Sequence, residues 1–269
     1  MSFSISGKTA IVTGASSGIG LAIGKQFAEQ GANVMFADHS EKDLISELDK
    51  YADDDNVAYF AGDLRERLTI ANLLSATIDT FDQIDILVNG ARQVVPSDPL
   101  DPNDTSTEIL LGQTLLPTLR LSQQVARRMM KQAEDRDEDD NTPAGSIINL
   151  SSIAARRTHP ELLAYSVTSA ALDQVTRSLA VALAPHKIRV NSVAFGSVMS
   201  ASMKTILKEN RSFRQDIEQH TPLGRIASPT ELADAAQFLA SDAAGFMTGQ
   251  IVTLDGGRTL LDPVAAPVH

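Results

Sequence analysis

Cysteine is absent from this 269-residue chain, so neither disulfides nor thiolate-held zinc can contribute to its stability or chemistry. Histidine is sparse: His39, His159, His186, His220 and His269 are scattered, with no pair at the spacing of helical metal ligands, and no metal site is expected. Positive charge is also in short supply, with 23 Lys and Arg against 34 Asp and Glu. The resulting net charge of −11 and pI near 4.8 would repel a phosphate backbone or an anionic lipid surface. No apolar run approaches the ~18 residues that a membrane span requires. The N-terminal MSFSISGKTAIVTG has no basic region followed by a long apolar stretch. The expectation is a soluble, cytoplasmic protein that binds neither nucleic acid nor membrane.

What is present is alternation. Short runs rich in Val and Ile occur at 8–12, 33–37, 57–60, 84–88, 145–150, 188–193 and 250–254. Such runs suit strands buried on both faces of a parallel sheet. Helical patterns lie between them, near 18–30, 41–50, 66–80, 105–132, 162–184 and 229–240. This order predicts a single doubly wound Rossmann-type α/β domain over 1–269, with about seven parallel strands and helices on both faces. The acidic stretch Glu134–Asp140, followed by Asn141-Thr142-Pro143, reads as a solvated loop. The tail at 258–269 carries two prolines and reads as either frayed or docked on another subunit.

The first strand runs into Thr13-Gly14-Ala15-Ser16-Ser17-Gly18-Ile19-Gly20, with a helix following. Glycines here serve a tight exit from the strand, close approach of a pyrophosphate, and close helix–strand packing. The helix start adds free N–H groups and the positive end of its dipole. Gly14, Ser16, Ser17, Gly18, Ile19 and Gly20 are therefore candidate dinucleotide contacts. Asp38 ends the second strand, eighteen residues after Gly20. Its carboxylate can accept from both adenosine ribose hydroxyls and would repel a 2′-phosphate, and no Lys or Arg adjoins it, so NAD(H) is favoured over NADP(H).

These motifs resemble the short-chain dehydrogenase/reductase family in its TGxxxGIG form, over most of the chain from Lys8 to Gly257. Matching pieces include Gly62-Asp63-Leu64, Leu87-Val88-Asn89, Gly145–Ser152, Tyr165–Thr168, Ile188–Val193, Pro222–Arg225 and Asp255-Gly256-Gly257. The resemblance implies that Asp63 and Leu64 meet the adenine, that Asn89 borders the adenosine ribose, and that Ala91 is among the cofactor contacts. It further implies that Val198 lies against the nicotinamide carboxamide, and that 197–220 forms a mobile lid. It casts Tyr165 as the acid/base and Ser152 as the donor to the substrate oxygen. The substrate would be a small alcohol or carbonyl compound, and the long helices would pair subunits into a homodimer or homotetramer.

Three departures stand out from that pattern. The family lysine, four residues after the tyrosine, is Ser169 here. Without that cation, alcohol oxidation, which needs tyrosinate as base, should suffer more than carbonyl reduction, which needs the neutral phenol. The family's helix asparagine is replaced by Thr114, although Pro117, lacking an N–H, should still disturb the helix near Gln113. The Asn-Asn-Ala-Gly motif becomes Asn89-Gly90-Ala91-Arg92, which makes Arg92, with Arg156 and Arg157, a candidate replacement cation. Three readings follow: an NAD(H)-dependent oxidoreductase with a reduced catalytic set, a non-catalytic dinucleotide-binding relative, or altered chemistry, such as a lyase or dehydratase reaction, using Arg92.

Overall fold

The computed structural model describes residues 2–134 and 142–262. The expected acidic loop, apart from Glu134, Thr142 and Pro143, therefore lies outside the described residues, as does the tail from 263 onward. Seven parallel strands form one sheet: β1 (Thr9–Thr13), β2 (Asn33–Asp38), β3 (Val57–Ala61), β4 (Ile86–Asn89), β5 (Gly145–Ser152), β6 (Ile188–Phe195) and β7 (Ile251–Leu254). They lie in the order β3-β2-β1-β4-β5-β6-β7, all parallel. The direction of winding reverses between β1 and β4, which opens a crevice at the carboxyl ends of these two strands.

Alternation along the strands explains why both faces are covered. Ala10 and Val12 of β1, Val34 and Phe36 of β2, and Ile148 and Leu150 of β5 join one core. Helices α1 (Gly18–Glu29), α2 (Glu41–Leu48) and α9 (Pro229–Ala240) close that face through Ile23, Phe27, Leu44, Leu232 and Leu239. Ile11, Met35, Leu87 and Ile147 point the other way. There they meet α3 (Arg67–Phe81), α5 (Leu116–Ala133) and the end of α6 (Leu163–Leu183) through Ile70, Leu73, Val125, Met129 and Ala180.

Two expectations are refined. The long helix expected over 105–132 is broken into α4 (Ser106–Leu110), a π-helical turn at Leu111–Leu115, and α5 with Pro117 in its first turn. The disturbance expected from the proline is therefore there, as a wider turn containing Thr114. The segment expected as a lid folds into α7 (Ala201–Glu209), begun by Ser200 Oγ accepting from the Met203 N–H, and α8 (Arg211–Gln219). At α9, Ser228 and Glu231 form a reciprocal cap, and Arg225 adds a two-armed ion pair to Glu231 at 2.7 Å for each arm. These hydrogen bonds, from Arg225 first and then the Ser228 N–H, pull the Glu231 carboxyl down to about 2. No helix among the described residues is long and apolar enough to cross a membrane.

Candidate active site

The glycine-rich loop is shaped by backbone meeting backbone. Gly14 has φ +65°, and a Cβ there would lie 2.6 Å from the Gly90 carbonyl oxygen. A Cβ on Gly20 would come 2.3 Å from the carbonyl oxygen of Gly14. Both distances are shorter than real contacts allow, so the loops after β1 and β4 close together only because these side chains are missing. Thr13 locks the pair, its Oγ1 accepting from the Gly90 N–H at 3.0 Å and the Ala91 N–H at 3.3 Å. Ser17, at the start of α1, makes no side-chain cap, and the first turn of α1 carries no acid. The first N–H groups therefore keep their donor capacity and the dipole its positive end.

Asp38 faces this loop from the end of β2. Its Oδ2 accepts from the Ser16 N–H at 3.0 Å and its Oδ1 from the His39 N–H at 2.7 Å. Burial resists ionisation here, but the hydrogen bonds from Ser16 and His39 outweigh it and hold the carboxyl below its ordinary value. The imidazole Nδ1 of His39 also sits 2.7 Å from Asp38 Oδ1 on a largely exposed side chain. Asp63 is engaged by Arg65, whose Nε lies 2.9 and 2.8 Å from its two oxygens. Leu64 packs against the second core. The Asn89 side chain turns inward, donating to Ser122 Oγ at 3.0 Å and Asn149 Oδ1 at 2.9 Å. Asn149 continues to Thr176 Oγ1 at 2.8 Å, so this buried network ties β4 and β5 to α5 and α6. Of the segment Asn89–Ala91, it is the backbone that faces the glycine-rich loop.

At the other end of the crevice, β5 stops at Ser152. The Ser152 hydroxyl oxygen accepts from the Ala154 N–H at 3.1 Å, a bond that does not use its own hydrogen. Tyr165, in the first turn of α6, is buried and lines a cleft with Arg92, Leu110, Thr114, Leu150 and Ser169. Ser152 is not part of that lining. Ser169, at the family's lysine position, is itself buried. Val198 is buried in a short parallel bridge to Ala227.

Of the three candidate cations, the fold brings one to this cleft. The Arg92 guanidinium lies 4.1 Å from the ring centre of Phe195 and 5.4 Å from that of Tyr165, and its Nη1 donates to the Ser151 carbonyl at 3.1 Å. Arg156 instead donates to Thr253 Oγ1 at 3.2 Å, and Arg157 to the Thr259 carbonyl, so both face the C-terminal segment. Sequence reasoning missed Phe195, which ends β6. It also missed Asp173, buried on the face of α6 that carries Tyr165 and Ser169. The i, i+4, i+8 spacing of these three residues was the available signal. Burial pushes the Asp173 carboxyl up, against the pull of the Ser151 hydroxyl and the more distant charges of Arg156 and Arg177.

Known proteins share this sequence pattern and fold. A family described as enoyl-(acyl carrier protein) reductase matches residues 14–259. The 7alpha-hydroxysteroid dehydrogenase of Escherichia coli K12 is 30% identical over 254 residues, covering 94% of each chain. A short-chain type dehydrogenase/reductase from Mycobacterium marinum superposes with a TM-score of 0.84 at 30% identity, over 97% of this chain and 98% of that one. A Beutenbergia cavernae chain described as an NAD(P)-dependent gluconate 5-dehydrogenase, with NADP bound at low occupancy, gives a TM-score of 0.85 at 27% identity, over 97% and 100%.

Proposed function

Since the chain belongs to the short-chain dehydrogenase/reductase family, a family of oxidoreductases that bind a nicotinamide dinucleotide, we propose that it interconverts an alcohol and a ketone or aldehyde with NAD(H) in the cytoplasm. The observation that carries this reading is the paired-glycine cradle at the β1/β4 crevice, with a buried tyrosine on the same sheet edge. The cradle suits a diphosphate: the bare Gly14 and Gly20 let the loop fold tightly onto its neighbours, a Cβ on Gly18 would meet nothing nearer than Ser200 Cβ at 3.9 Å, and the uncapped start of α1 supplies donors. Gly14, Ser16, Ser17, Gly18, Ile19 and Gly20 hold the diphosphate, and Asp38 the adenosine ribose. Asp63 and Leu64 flank the adenine, Asn89 and Ala91 pass the ribose through their backbone, and Val198 meets the nicotinamide end. Bound there, the dinucleotide supplies or accepts a hydride.

The chain's own groups manage the substrate oxygen. Ser152 donates its hydroxyl hydrogen to that oxygen, and Tyr165 exchanges a proton with it. Asp38 supports NAD(H) over NADP(H), because a carboxylate held ionised beside the ribose repels a 2′-phosphate. Exposed Val167 and Val181 on α6 suit a homodimer or homotetramer built on the long helices. Light scattering at micromolar concentration should report more than one chain per particle; a monomer would remove that part of the reading.

The test is NADH oxidation against a panel of ketones and aldehydes. Tyr165→Phe should lower kcat by at least roughly 100-fold, the usual scale of acid–base catalysis, while NADH still binds. Turnover indifferent to that change would defeat the assignment. A second reading has one observation in its favour, the replacement of the family lysine by buried Ser169: the chain then binds dinucleotide without turnover, as a sensor or partner subunit. Appearance of activity only in Ser169→Lys would favour it.

A further inference from the structure

Arg92 is a cation with no counter-anion among the described residues of a strongly acidic protein. It is partly buried, and its one hydrogen bond goes to the neutral carbonyl of Ser151 at 3.1 Å. Among the described residues no carboxylate pairs with it, although the chain has 34 to offer. The buried acid of this region, Asp173, is under the influence of Arg156 and Arg177 instead. A guanidinium has five N–H donors in a planar fork, and here most of them have no partner among the described residues. Its central carbon lies over the rings of Phe195 and Tyr165, contacts that hold the group without consuming those donors. Leu110, Leu150 and Leu172 wall the same cleft and lower the local polarity, and Thr114 and Ser169 line it with small polar side chains. A positive charge withdrawn from water, oriented and left unpaired is a receptor for an anion.

We propose that Arg92 recognises a carboxylate on the substrate, and that the substrate is a short oxo acid or the corresponding hydroxy acid. This rests on the oxidoreductase reading and narrows it. The guanidinium is 5.4 Å from the centre of the Tyr165 ring, so a carboxylate it holds lies in the same cleft as the tyrosine, which suits an acid whose carboxylate is close to its carbonyl. In the reducing direction the carbonyl carbon gains the hydride of NADH and its oxygen takes the Tyr165 proton, which solvent then replaces. The carboxylate is unchanged, and the products are a hydroxy acid and NAD+.

Matched pairs test this: pyruvate against methyl pyruvate, and acetoacetate against methyl acetoacetate. They are presented with NADH to the wild-type protein and to Arg92→Gln and Arg92→Lys. Turnover is followed by NADH absorbance, and binding by calorimetry on the NADH-loaded protein, which needs no turnover. In the wild type at least one acid should exceed its ester about 100-fold in kcat/KM or in affinity. That ratio should fall at least tenfold in Arg92→Gln, with Arg92→Lys between the two because a point charge keeps attraction but loses the fork. NADH titration of Arg92→Gln separates loss of anion recognition from loss of the cofactor site. Esters bound and used as well as acids, an acid preference surviving in Arg92→Gln, or no acid binding at millimolar concentration would each overturn the proposal. Acid-selective binding without any turnover would uphold anion recognition while sinking the oxidoreductase reading; turnover indifferent to the carboxylate would do the reverse.

Discussion

The loop after β1 and the loop after β4 touch at the same crevice, yet they are built on different terms. The first is made of main chain: Gly14 and Gly20 leave no room for a Cβ, and Thr13 and the Ser16 N–H lock it to its neighbours. The second ends in side chains, with Arg92 reaching across to Phe195 and Tyr165. A site made of backbone depends on geometry that almost any substitution disturbs. A site made of side chains can exchange one charge for another arriving from a different strand. That difference suits a glycine-rich loop that keeps the family pattern beside a proposed catalytic set with Ser169 where the resemblance implies a lysine, and with Arg92 in the cleft.

The contrast can be broken most decisively at Gly14. Gly14→Ala adds a clash with the Gly90 carbonyl to a left-handed backbone that alanine disfavours. It should lower stability by roughly 3 kcal/mol in denaturant titration and weaken NADH binding beyond about 100-fold. Normal NADH affinity in that variant would show that the loop is not the rigid cradle described. A smaller effect is expected where the same region does rely on a side chain. Asp38→Asn should cost NADH about tenfold in affinity, the scale of one charged hydrogen bond, and should improve NADPH. Unchanged relative affinities would remove Asp38 from cofactor choice.

The smallest effect belongs to the reaction side. Because burial pushes the Asp173 carboxyl up, the native chain keeps a proton that the unfolded chain has already released. Stability therefore falls as pH rises from near 3.8 through the folded value, and the full penalty is felt above it. Asp173→Asn should raise Tm at neutral pH, with the gain vanishing below about pH 4. A lower Tm at neutral pH would mean that the ionised carboxylate stabilises α6, and that this half is as tightly specified as the other.

Much of the fold was legible because its signals are local. Apolar runs bounded by turns gave the seven strands to within a residue or two, and the glycine spacing located the cradle. Pro117 announced the departure from α-helix that the structure resolves as a π turn at Leu111–Leu115. Other features depended on partners distant in sequence. Asn89 reads as a ribose neighbour, and only the fold shows its amide turned inward to Ser122 and Asn149. Asp63 reads as an adenine contact by resemblance, and only the fold shows Arg65 folded onto its carboxylate. Arg92, Arg156 and Arg157 were equivalent as letters, and only the fold separates the one in the cleft from the two facing the C-terminal segment.

By itself, then, the sequence determined the alternating architecture and the position of the glycine cradle, since periodicity and the lack of a Cβ are properties of single residues and their near neighbours. Tertiary structure alone decided which cation stands beside Tyr165 and which polar side chains are already engaged. Those outcomes depend on where long side chains from separate strands converge, and strand order, burial and packing fix that convergence only once the chain has folded.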